Sequence, residues 1–207
     1  MAQPIFYLLA GPNGAGKSSL YRAAVAEQLI PPDAEFVNAD LYEAAALLHI
    51  SNPQVRSENA RKWAEDRRAH LLKGTHSFVS ETVFSHDSKL ALIRDAKKSG
   101  FAVVLLVVCL DDPQRLVARV QQRVLEGGHN VPSDRILARY PRTLENLTQA
   151  VRLADMAMLY DTGSTDDGGL CRPTRVAVCR GHDTKLLAQI LPDWAKQVLG
   201  GDQRGQK

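Results

Sequence analysis

Short apolar runs alternate with longer stretches in which apolar positions recur every three or four residues, from one end of the chain to the other. The short runs predict strands at 4–10, 34–39, 77–81, 101–110, 156–160 and 174–179. The periodic stretches predict helices at 16–29, 40–50, 53–73, 86–98, 112–126, 133–151 and 183–198. Strands and helices in alternation belong to an α/β fold, here a mainly parallel sheet of about five or six strands flanked by helices. The run at 101–110, FAVVLLVVCL, is apolar without alternation, so it is expected at the sheet's centre, covered on both faces. Pro31-Pro32, Lys73-Gly74 and Ser99-Gly100 punctuate the helices, and GSTDDGG at 163–169 reads as a polar surface loop. One domain is expected over 1–200, with a flexible tail at 201–207.

The first strand runs straight into GPNGAGKS at 11–18, which satisfies G-x-x-x-x-G-K-[ST]. Glycines at 11, 14 and 16 permit close approach of backbone to an anion, and the helix that follows offers unpaired N–H groups and the positive end of its dipole. Gly11, Pro12, Asn13, Gly14, Ala15, Gly16, Lys17, Ser18 and Ser19 are therefore the expected nucleotide-binding set. Lys17 would bridge the β- and γ-phosphates, and the Ser18 hydroxyl would ligate Mg²⁺. Together with the alternation of strands and helices this predicts a P-loop NTPase or kinase fold binding ATP or GTP.

Ligands of open α/β sheets sit beyond the carboxyl ends of the strands, so acids that end the second and third strands face the same crevice as the loop. Asp40 and Glu81 meet that condition. Asp40 is the expected base for an attacking hydroxyl, unless it only caps a helix beginning at Leu41. Glu81 would hold a substrate hydroxyl or a magnesium-bound water, or else pair with a neighbouring cation. Asp111 and Asp112 follow the fourth strand like a Walker B acid, yet Asp112-Pro113 also reads as a helix start.

Arg115, Arg119 and Arg123 recur at four-residue spacing on one helix face, and Arg135, Arg139 and Arg142 follow on the next helix. Each like-charged pair costs roughly 0.2–0.5 kcal/mol on an isolated helix, so an anionic partner is a natural compensation. With the turn EGGHNVP between them, residues 112–151 predict a helical lid that closes guanidinium groups on a transferring phosphate. The competing reading is a solvated basic face satisfied by nearby carboxylates.

Composition narrows this picture at a few points. With 44% apolar and 24% charged residues the chain fits neither disorder nor a coiled coil, and its longest apolar run falls short of the roughly 18–20 residues a spanning helix needs. No membrane partner is expected. The apolar stretch at 5–10 leads into the glycine turn without a basic leader, which reads as a strand and not a signal peptide, hence a cytoplasmic protein. Cys109, Cys171 and Cys179 match no zinc or CxxC spacing and read as buried thiols. A net charge of +3 and the absence of aromatics among the arginines argue against nucleic acid as partner.

GPNGAGKSS at 11–19, VNAD at 37–40, SFVSETVFSHDSK at 77–89, AKKSGFAVVLLVVCL at 96–110, RVQQRVLEGGHNVP at 119–132, RILARYPRTLENL at 135–147 and ADMAMLYDTG at 154–163 together resemble the zeta toxin kinases, in particular their short bacterial relatives. The resemblance implies an ATP- or GTP-dependent kinase fold similar to chloramphenicol phosphotransferase and shikimate kinase. Toxin members phosphorylate a sugar hydroxyl of UDP-N-acetylglucosamine and are held by an antitoxin protein. By position, Asp40 resembles the family's catalytic base, Glu81 with Thr82 its substrate side, and Arg139 a phosphate-contacting arginine; Arg119, Arg123 and His129 match more loosely. The expected function is phosphoryl transfer to a small-molecule hydroxyl acceptor. Its rival is a nucleotide-dependent switch or binding protein without kinase activity, although no N-K-x-D or L-S-G-G-Q segment supports a switch.

Overall fold

The computed structural model describes residues 3–126, 128, 131–163, 172–181 and 183–200. A seven-stranded sheet in the order β2-β3-β1-β4-β5-β6-β7 forms its centre. The strands are β1 (Ile5–Ala10), β2 (Glu35–Val37), β3 (Phe78–Thr82), β4 (Ala102–Cys109), β5 (Met156–Asp161), β6 (Thr174–Arg180) and β7 (Asp183–Leu186). The first five pair in parallel, and the last two add an antiparallel hairpin at one edge. The helices are α1 (Lys17–Ala26), α2 (Ala39–Ala46), α3 (Pro53–Leu71), α4 (Leu90–Lys98), α5 (Pro113–Leu125), α6 (Ser133–Leu153) and α7 (Asp193–Val198), with a 3₁₀ turn at Asp87–Lys89 before α4.

Two apolar cores lie on opposite faces of the sheet, and alternation along the strands assigns side chains to each. Phe6 and Leu8 of β1 with Val103, Leu105 and Val107 of β4 enter the first, beneath α4, α6 and α7. Tyr7 and Leu9 with Leu106 and Val108 enter the second, beneath α1 and α5. β4 lies between β1 and β5 and is buried along nearly its whole length, as its unbroken apolar run requires. Cys109 and Cys179 are buried thiols, and desolvation pushes the Cys109 thiol up to about 12; Cys171 lies outside the described residues.

The segment 183–198 departs from the sequence reading. It opens as β7, paired to β6 from Arg180↔Asp183 onward, and only Asp193–Val198 is helical. Gly181 at φ 57 turns the chain into this hairpin, and Pro192 fixes the backbone at the N-cap of α7. The sheet thereby gains a seventh strand. The tail at 201–207 lies outside the described residues, and none of the described helices is long and apolar enough to cross a membrane.

Candidate active site at the carboxyl ends of the central strands

The loop between β1 and α1 is moulded onto its neighbours by glycine. A Cβ on Gly11, at φ 153, would come within 2.0 Å of the Val108 carbonyl, and one on Gly14, at φ 81, within 2.4 Å of the Leu116 carbonyl. Any side chain there would push the loop off β4 or off α5. Gly16 is the left-handed N-cap of α1 and supplies no side-chain cap, so the first N–H groups of the helix are left to a ligand. Lys17 is buried, and its Nζ donates to Gly11 O at 3.1 Å and Pro12 O at 3.3 Å. The Ser18 hydroxyl beside it is exposed. Backbone N–H groups, one ammonium and a hydroxyl in this order suit a polyphosphate with its divalent cation.

Asp40 stands exposed in the first turn of α2. It is not the cap of that helix. Asn38 is, its side chain accepting from Leu41 N at 3.1 Å, which leaves the Asp40 carboxylate clear for other work. Glu81 lies near the end of β3, opposite Leu9 of β1. Its Oε2 is sealed from solvent with no hydrogen-bond partner. Burial raises its pKa, Lys17 and Arg123 pull it back, and Asp40 adds to the rise. Charged side chains from α1, α2 and α5 thus act electrostatically on the Glu81 carboxyl near the end of β3. Next to Glu81, Thr82 carries the turn: its carbonyl accepts from Gly11 N at 3.3 Å and its hydroxyl from Phe84 N at 3.3 Å.

The arginine stripe divides by function. Arg115 donates to the carbonyl of Gly163. Arg119 donates to the Thr162 carbonyl at 2.6 Å and its hydroxyl at 3.1 Å, and that hydroxyl donates in turn to Ala15 O at 3.0 Å. These two arginines thus tie α5 to the chain leaving β5 and, through Thr162, to the phosphate loop. Arg123, the third of the stripe, acts electrostatically on Glu81. Arg139 is half-buried on α6 and makes no hydrogen bond or ion pair among the described residues, while Arg135 and Arg142 are exposed. His129 lies outside the described residues.

The acids after β4 serve as caps. Asp112 accepts from Gln114 N at the start of α5, and Asp111 accepts from the N–H groups of Asp193 and Trp194 at the start of α7. Sequence reasoning missed Thr162 and Asn38, and it missed Asp161, which accepts from Trp194 Nε1 at 2.9 Å. These side chains find their partners only once distant strands are aligned. A separate cavity of about 570 Å³ opens between α2 and α3, where Tyr42 and Trp63 stack at 3.9 Å beside Leu47, His49, Lys62 and His70.

A parallel sheet with a phosphate loop after β1 and acids at the ends of its neighbours defines the P-loop kinase fold. The family described as Zeta toxin matches residues 1–165, and the chain belongs to that family. A protein of Haemophilus influenzae described as uncharacterized is 29% identical over 136 residues, covering 66% of this chain and 91% of its own. Among solved structures, the chain resembles the AvrRxo1-ORF1:AvrRxo1-ORF2 complex with sulphate ions, at 17% identity and a TM-score of 0.68 over 89% of this chain. The same complex with ATP matches at 16% identity and a TM-score of 0.68, again over 89% of this chain. The chain spans about 61% of the length of both. The PezAT toxin-antitoxin system of Streptococcus pneumoniae matches at 16% identity and a TM-score of 0.59, over 78% of this chain and 68% of that one.

Proposed function

We propose that this protein is a phosphotransferase that moves the γ-phosphate of ATP or GTP to a hydroxyl of a small molecule. The observation that carries the reading is the glycine-moulded phosphate loop with Lys17 buried against its Gly11 and Pro12 carbonyls, whose charge, with those of Asp40 and Arg123, acts on the buried Glu81 carboxyl. The chain has the parts such a reaction needs. The loop's backbone N–H groups, which Pro12 lacks, and the Lys17 ammonium would hold the β- and γ-phosphates, and a Mg²⁺ ion held at Ser18 would neutralise charge between them. Asp40 orients the acceptor hydroxyl and takes its proton as the oxygen bonds to γ-phosphorus. The bond from that phosphorus to the β–γ bridging oxygen breaks, and ADP or GDP leaves carrying the electron pair. Arg123 of α5, with Arg139 of α6, offsets the charge on the transferring group. Glu81 and Thr82 line the acceptor's side.

Membership of the zeta toxin family supports a sugar nucleotide such as UDP-N-acetylglucosamine as the first acceptor to try, and the PezAT match supports an antitoxin as protein partner. The test is a screen of nucleotide sugars, aminosugars and small alcohols with labelled ATP, scored for phosphate on the acceptor. Asp40→Ala should cut transfer by orders of magnitude with nucleotide affinity nearly unchanged, while Lys17→Ala should weaken nucleotide binding itself. Wild-type turnover in Asp40→Ala would remove that residue from the mechanism. ATP consumption that ignores every acceptor would favour a nucleotide switch.

A further inference from the structure

β7 is the last strand of the sheet, and among the described residues no other strand pairs with its outer edge. The direction of its free backbone groups follows from the pairing it does make. Leu187 N donates to Val176 O at 2.9 Å, and the register runs on through Val178↔Lys185 to Arg180↔Asp183. Residues of an antiparallel pair exchange hydrogen bonds at every second position, so Asp183, Lys185 and Leu187 direct their N–H and C=O groups to β6. Those of Thr184 and Leu186 point out of the sheet. The contact of the Thr184 hydroxyl with Cys179 Sγ at 3.7 Å fits that phase, since side chains approach most closely in the pairs that share no hydrogen bond.

Asp183 and Lys185 stand two residues apart, hence on one face of the strand; both are exposed, and neither makes an ion pair among the described residues. A lysine on an open edge ordinarily discourages pairing with another chain. Here the edge carries one charge of each sign. Beside it lie Leu186, Leu187 and Ile190, all large apolar side chains left exposed. An open edge with apolar side chains beside it and a charge pattern that complements itself has the form of a two-fold contact, in which one patch meets its own copy.

We propose that this protein pairs with a second copy of itself through β7, the two strands running antiparallel so that one sheet continues through both subunits. Only positions with outward backbone groups can face each other, which leaves three registers within Asp183–Leu186. Thr184 opposite Leu186 sets Lys185 against Lys185, and Leu186 opposite Leu186 sets Lys185 against Leu187. Thr184 opposite Thr184 sets Asp183 of each copy against Lys185 of the other, twice by symmetry. In that register the two threonines exchange a pair of N–H···O bonds. The charged residues then fall at positions that share no hydrogen bond, where Cα atoms are about 4.5 Å apart and side chains meet.

Sedimentation equilibrium of the full chain tests the pairing. Wild type should dimerise in the micromolar range. Asp183→Lys and Lys185→Asp each turn both attractions into repulsions and should weaken the dimer about ten-fold or more. Both side chains are exposed, so neither variant disturbs the core. Mixed in equal amounts, the two variants should form a dimer with one copy of each, because every lysine again meets an aspartate, and the double variant should associate like wild type. Thr184→Pro removes an N–H that faces away from β6 and should abolish the dimer. A wild type that stays monomeric throughout that range overturns the proposal. So does a dimer that both reversals leave unchanged, or one that they weaken without rescue in the mixture, since the charges would then guard the edge and not join it.

Discussion

Glu81 concentrates the electrostatics of the site in one carboxyl group. Burial is the largest influence on it and outweighs the attraction of Lys17 and Arg123, so its pKa is raised above 4.5 in the folded chain. The folded state then binds more protons than the unfolded one between 4.5 and the raised value, and stability falls as pH rises through that window. Glu81→Gln removes the ionisation and keeps the shape. Denaturant titrations at pH 4.5 and pH 8 should therefore show the variant gaining on wild type as pH rises, together with a loss of phosphoryl transfer. A stability difference that stays constant with pH would mean that ionising Glu81 costs the fold nothing. The same side chain explains why part of the site was legible early. Asp40 and Glu81 end apolar runs, and the strand-end rule points to both, whereas Thr162 depends on a contact with Ala15 that no local pattern announces.

Among the elements, α5 and the exit of β5 hold the phosphate loop in place. Thr162 is 1% exposed and stands between them, accepting from Arg119 and donating to Ala15, a residue 147 positions away. Thr162→Val keeps the volume and the Thr162 carbonyl that Arg119 also bonds, but removes the hydroxyl that accepts from Arg119 and donates to the Ala15 carbonyl, and each such lost bond costs about 1–3 kcal/mol. The variant should unfold at lower denaturant and bind nucleotide several-fold more weakly, measured by titration of a fluorescent ATP analogue. Unchanged nucleotide affinity would show that the loop holds its form without this tie. Element by element, the sequence was most readable where burial writes a pattern. The run at 101–110 announced β4, and GPNGAGKS announced the loop, because both depend on residues adjacent in the chain. The segment 183–186 carried no such mark: DTKL is exposed at every position along the sheet edge, and apolar Leu187 and Ile190 beyond it suggested a helix. The hairpin's one local sign is Gly181. The arginine spacing on α5 was legible as well, but its use was not, since two of its three members serve Thr162 and Gly163.

At the scale of the molecule, the family match ends at residue 165 while the core does not. Trp194 of α7 is 1% exposed and belongs, with Ala195 and Val198, to the same cluster as Phe6 and Leu105. Asp111 caps its helix, and Asp161 accepts its indole N–H, so the last helix is fastened to the carboxyl ends of both β4 and β5. The C-terminal segment is thus a structural part of the P-loop fold, packed against the strands whose ends carry the candidate site. Trp194→Ala should cost about 3–5 kcal/mol through lost burial and the cavity left behind, a large share of the roughly 5–15 kcal/mol that holds a domain together. Trp194→Phe retains most of the ring and loses only the bond to Asp161, so it should cost about 1–3 kcal/mol. Urea unfolding of both variants separates the two contributions. If α7 were an appendage, both substitutions would leave the unfolding midpoint where it is, and a chain cut after residue 165 would fold and bind nucleotide unaided. The packing of Trp194 predicts that it will do neither.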